Sequence, residues 1–123
     1  MKKEKKLMGG FWGIILAAGE SRRMGFPKML LPFNGRTMLE NVIRNVTGSA
    51  VDNIVVVLGA DKDSIINLLG KSSVNYCYNE NYKDGMLSSV KCGFRNIPSD
   101  FEAVLVFQGD QPLITSKLRS YLK

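Results

Sequence analysis

The chain has 123 residues, 45% hydrophobic and 23% charged, with a formal charge of +6 and no histidine. This composition suits one globular domain and excludes a disordered chain, a collagen-like repeat and a membrane bundle. Without histidine there is no Ser-His-Asp triad, Cys-His dyad or histidine metal site, so any chemistry must rest on carboxylates, hydroxyls, Lys, Arg, backbone groups and a borrowed metal ion.

Lys2, Lys3, Lys5 and Lys6 against Glu4 give half of the net charge to the first six residues. Residues 1–10 read as a solvated basic arm. The rest of the chain is too evenly balanced to argue for a nucleic-acid surface. A charged start before the apolar run at 7–18 imitates a signal peptide. Against that, Glu4 breaks the positive region, and the run passes without a boundary into a glycine-bearing loop. No apolar stretch approaches the roughly 20 residues that span a membrane.

Residues 11–17 form a short apolar run without polar alternation, as in a strand covered on both faces of a parallel sheet. A loop with two glycines follows at 18–28. Thr37 and Glu40 have capping-box spacing, and Met38, Leu39, Val42, Ile43 and Val46 then share one helical face up to Gly48. Residues 53–58 read as a second strand and 61–69 as a short helix ended by Gly70. A third strand is expected at 74–78 and a polar loop at 79–85. Met86, Leu87, Val90 and Phe94 have the spacing of a helix face, with Pro98 as its stop. A fourth strand is expected at 102–107 and the opening of another helix at 115–123. Cys77 and Cys92 show no metal-ligand spacing and read as buried or half-buried thiols of a cytoplasmic protein.

Strands that alternate with helices predict an α/β fold with a Rossmann-like, mainly parallel sheet and helices on both faces. Ligands in such sheets sit beyond the carboxyl ends of the strands, where the strand order reverses. The loops at 18–28, 79–89 and 108–112 should therefore converge on one rim. The single domain at 1–123 is expected to be incomplete at its C-terminal end. The strand edge left open there is one that pairing with a second copy could cover.

Three motifs carry candidate chemistry. In Leu16-Ala17-Ala18-Gly19, continuing to Arg23, Gly25 and Lys28, small residues let backbone amides approach phosphate oxygens. Arg23 can bind phosphate in a bidentate manner and Lys28 as a point charge. The segment is neither a Walker A loop nor a dinucleotide fingerprint. Gly109-Asp110-Gln111-Pro112 puts a carboxylate after a strand, where it can hold Mg2+ against phosphates or simply open a turn. Gly85-Met86-Leu87-Ser88-Ser89 starts a helix whose hydroxyls and amides can read a base or ribose, or merely cap it.

Together, Leu16-Ala17-Ala18-Gly19, Ser21, Arg23-Met24-Gly25, Lys28, Leu30-Leu31, Gly85-Met86, Ser89 and Gly109-Asp110-Gln111-Pro112 resemble the MobA-like nucleotidyltransferases. Within them the chain is most similar to the molybdenum cofactor cytidylyltransferases. The resemblance implies a nucleotide-diphospho-sugar transferase-like fold. It also implies transfer of a nucleoside monophosphate from an NTP to a phosphate acceptor of molybdopterin type, with Mg2+ and release of pyrophosphate. It implies that Leu16, Ala17, Ala18 and Gly19 pack against the nucleotide, Arg23 and Lys28 hold its phosphates, Ser89 contacts the nucleoside and Asp110 holds the metal. Ala18 stands where the guanylyltransferases carry glycine, which favours CTP over GTP. Two other functions stay open: a nucleotide-binding module without turnover, and transfer to a sugar or alditol phosphate.

Overall fold

The computed structural model describes residues 10–19, 28–49, 51–70 and 74–110. In chain order they form β1 (Phe11–Ala17), β2 (Pro32–Phe33), β3 (Arg36–Thr37), α1 (Met38–Thr47), β4 (Asn53–Leu58), α2 (Lys62–Leu69), β5 (Asn75–Tyr78), α3 (Met86–Phe94) and β6 (Ala103–Gln108). Arg23, the basic arm up to residue 9 and the helix expected at 115–123 lie outside the described residues.

Strands β5, β4, β1 and β6 lie side by side in that order, all parallel. The period of two along β1 sends alternate side chains to opposite faces. Ile15 and Ala17 join Val56 and Leu58 under α1 (Leu39, Val42, Val46) and α2 (Ile65, Leu69). Trp12, Ile14 and Leu16 join Val55 and Val57 under α3, which contributes Cys92. Helices thus cover both faces, as the alternating pattern predicts. Successive connections run outward from β1 to β4 and β5, and the chain then returns to the other side of β1 as β6. The strand order reverses between β1 and β6. Leu16 faces Gln108 and Ala17 faces Leu58, so the carboxyl ends of β1, β4 and β6 finish level.

The capping box forms as the sequence predicts. The Glu40 N–H donates to Thr37 Oγ1 at 3.1 Å, and the Thr37 N–H donates to Glu40 Oε1 at 2.9 Å. Two expectations need correction. The first concerns α3, which stops at Phe94, before Pro98, and buries only part of the expected apolar stripe: Val90 packs against the core, but Met86, Leu87 and Phe94 are exposed. Met86 and Leu87 are 59% and 65% exposed, whereas Ser89, Cys92 and Gly93 are buried. Small residues face the sheet because the helix lies so close to it: a Cβ on Gly93 would stand 2.8 Å from Ile14 Cγ2. Ile14 is fully buried in β1 and cannot move aside. Gly93→Ala is therefore expected to cost about 1–3 kcal/mol, read as a lowered thermal midpoint.

The second correction is an element the sequence reading passed over. Residues 32–37 form a β2–β3 hairpin, turning at Asn34 and Gly35 with φ of 52° and 81°. Positive φ at both turn positions is the geometry for which Asn-Gly is preferred. The hairpin is tied to its neighbours by Asn41 Nδ2, which donates to the Phe33 carbonyl at 2.7 Å, and by the Met38 N–H, which donates to the Leu31 carbonyl at 2.9 Å.

The two thiols also meet. Cys77 Sγ lies 3.5 Å from Cys92 Sγ, with Cys92 buried and Cys77 half-buried. Burial, reinforced by the hydrogen bond to Cys92, pushes the Cys77 thiol up to about 12. It stays protonated, and so a poor nucleophile, at neutral pH. No helix among the described residues is long and apolar enough to cross a membrane.

Candidate functional site

A cavity of about 350 Å3 opens at the carboxyl ends of the strands. Its walls come from all three loops that the sequence reading expects to converge. Leu16, Ala18, Gly19, Lys28 and Met29 contribute from β1 and the segment leading into α1. Tyr82, Gly85, Met86 and Ser89 contribute from the connection after β5 and the start of α3, and Gln108 and Asp110 from the end of β6. This is the place where an open parallel sheet accepts ligands, beside the reversal of strand order.

Backbone packing brings these walls together. The Gly109 N–H donates to the Leu16 carbonyl at 2.9 Å, extending the β1–β6 ladder by one rung. A Cβ on Gly109 would meet that carbonyl oxygen at 2.9 Å and Met29 Sδ at 3.1 Å. Glycine thus lets the chain pass tightly under Met29 before presenting Asp110. Gly59 plays the same part after β4, where a Cβ would fall 2.7 Å from Ala18 Cβ and 2.8 Å from Tyr82 Cβ. Asp110 Oδ2 stands 3.4 Å from Lys28 Nζ, with the two side chains 27% and 55% exposed. An ion pair this open contributes only ~0–1 kcal/mol to stability. Its consequence is positional: one cation and one carboxylate, from different loops, share the rim of one cavity.

Of the residues singled out in the sequence, Leu16, Ala18, Gly19, Lys28, Ser89 and Asp110 line this cavity. Ala17 is fully buried and packs into the core beneath α1 and α2, so its methyl faces away from the cavity. Gly85 and Met86 of the third motif line it as well, and so do Tyr82, Gln108 and Met29, for which the sequence reading names no ligand role. Gln108 was within reach of sequence reasoning, as the last residue of a strand that runs into Gly109-Asp110. Tyr82 carries no such signal. Ser89 is held by Asn79, whose Nδ2 donates to its hydroxyl at 3.0 Å.

The fold and this rim define a parallel α/β domain with a cleft at its strand switch point, on whose rim a lysine meets an aspartate. Residues 13–123 match the MobA-like NTP transferase domain, and the chain belongs to that family. It is 36% identical over 105 residues to the bifunctional protein GlmU of Staphylococcus saprophyticus, a match that covers 84% of this chain and 23% of that protein. The chain thus spans about a quarter of the length of the curated relatives it matches. A nucleotidyl transferase from Methanothermobacter thermautotroptrophicus superposes with a TM-score of 0.77 at 26% identity, over 89% of this chain and 55% of the other. The 4-diphosphocytidyl-2C-methyl-D-erythritol synthase of Anaerococcus prevotii superposes with a TM-score of 0.68 at 26% identity, over 91% and 49%.

Proposed function

We propose that this chain is the nucleotide-binding part of a nucleotidyltransferase that moves a nucleoside monophosphate, by preference CMP, from an NTP to a phosphate acceptor of molybdopterin type. The observation that carries the reading is the meeting of Lys28 and Asp110 on a cavity at the strand switch point. An oxygen of the acceptor phosphate attacks the α-phosphorus, the bond from that phosphorus to the bridging oxygen breaks, and pyrophosphate leaves with the electron pair. The attacking phosphate is already anionic, so the absence of histidine costs nothing. Lys28, with Arg23 and amides of the loop after β1, holds the triphosphate and offsets charge that builds on the leaving group.

Asp110 suits a Mg2+ ion, which takes one or two carboxylates and fills its remaining positions with phosphate oxygens and water. When bound, the ion neutralises charge on the phosphates. The Ala18 methyl supports the preference for CTP. It is 4% exposed, lines the cavity and backs onto Gly59, so it cannot retreat from a bulkier base.

Likeness to the A. prevotii synthase supports a second reading, in which the acceptor is an alditol phosphate. Calorimetric titration of the chain with CTP, GTP and ATP in the presence of Mg2+ tests what the readings share. CTP is expected to bind most tightly, and failure of all three to bind would sink both. Pyrophosphate release with molybdopterin or an alditol phosphate then separates the acceptors, and binding without release marks a module without turnover.

A further inference from the structure

Asn79 follows β5 directly and is only 2% exposed. Its backbone N–H donates to the Leu58 carbonyl at the end of β4, at 2.8 Å. Its side-chain Oδ1 accepts from the backbone N–H of Asn81 at 3.0 Å. A main-chain N–H can only donate, so this contact fixes which end of the amide is oxygen. The two Nδ2 protons are then committed to the hydroxyls of Ser88, at 2.9 Å, and Ser89, at 3.0 Å.

The two serines differ in what is left to them. Ser88 Oγ lies 2.7 Å from the Gly85 carbonyl and 2.9 Å from the Asn81 carbonyl, so its proton has an acceptor within the protein. Ser89 is 4% exposed and lines the cavity, and among the described residues its proton has no acceptor. A hydroxyl has one proton and two lone pairs; with the Asn79 amide on one lone pair, the Ser89 proton is turned away from Asn79 and is the donor left to meet a ligand.

We propose that Asn79 is a positioning residue that makes Ser89 a hydrogen-bond donor into the cavity, selecting a nucleoside group that accepts, such as a pyrimidine carbonyl oxygen or a ring nitrogen. This rests on the nucleotide-binding reading above. Asn79→Asp keeps the shape and the contact to Asn81 but replaces both donors with an acceptor, which draws the Ser89 proton away from the ligand. The affinity of the full chain for CTP with Mg2+ is expected to fall about ten-fold in Asn79→Asp and in Ser89→Ala, and no further when the two are combined. Affinity for inorganic tripolyphosphate, which has no nucleoside, is expected to stay the same in all three.

If the unmodified chain binds no nucleotide, the nucleotide reading falls and takes this inference with it. If the unmodified chain binds CTP and either single variant binds it equally well, only the inference is overturned. An Asn79→Asp effect that persists undiminished in the Ser89→Ala background would mean that Asn79 merely supports the loop, which also overturns it. A matching loss of tripolyphosphate affinity would assign the Ser89 proton to a phosphate and overturn the nucleoside assignment. Thermal unfolding checks that each variant is folded. Should Asn79→Asp fail that check, Ser89→Ala decides alone, with unchanged CTP affinity overturning the inference and a ten-fold loss supporting it.

Discussion

Lys28→Ala is expected to lower nucleotidyl transfer on the order of 10²–10³-fold, read as pyrophosphate release with saturating CTP and Mg2+. The magnitude follows from the role proposed for the ammonium: it would offset charge that builds on the departing phosphates, and in a cleft such a contact exceeds its worth in water. The same substitution should hardly touch the fold. Lys28 is more than half exposed, its pair with Asp110 is open to solvent, and the thermal midpoint should move by no more than about 5 °C. Activity equal to that of the unmodified chain would remove Lys28 from the site. A collapse of the thermal midpoint would make the lysine structural.

Asp110→Asn is the second large effect, and its signature is different. The carboxamide keeps the shape but loses the charge that attracts a divalent ion. CTP should bind the unmodified chain more tightly when Mg2+ is added, and the variant should show little of that gain. Paired titrations with and without Mg2+ make the comparison. An undiminished Mg2+ effect in the variant would place the ion elsewhere.

The fold was legible because its signals are local. The unbroken apolar run of β1, the Thr37–Glu40 spacing and the glycine stops each act within a few residues, and the elements they mark stand where the pattern predicts. The hairpin at 32–37 was equally local and was missed, although Asn34-Gly35 is a strong short-range turn signal; with only two residues per strand it has no hydrophobic alternation to announce it. The face of α3 was misjudged for a tertiary reason. Spacing picks out Met86, Leu87, Val90 and Phe94, of which Val90 packs inward, but close approach to Ile14 selects the small residues at 89, 92 and 93.

The site divides in the same way. Lys28 and Asp110 were found because charged residues beside glycines at strand ends are conspicuous. The arrangement of Asn79 could not be read, because it depends on which hydroxyls lie opposite an amide once β5 and α3 are packed.

The hairpin bears on how the cleft meets its ligand. Lys28 opens a short 3-10 turn, and that turn is bonded through Leu31 to the start of α1, so the backbone at this lysine is settled before any anion arrives. An anion bound there, as proposed, would have to order the lysine's side chain but not its backbone, a modest entropic toll compared with organising a whole connecting segment. Loosening the link through Leu31 is therefore expected to weaken binding of the proposed anion without removing a single charge from the rim.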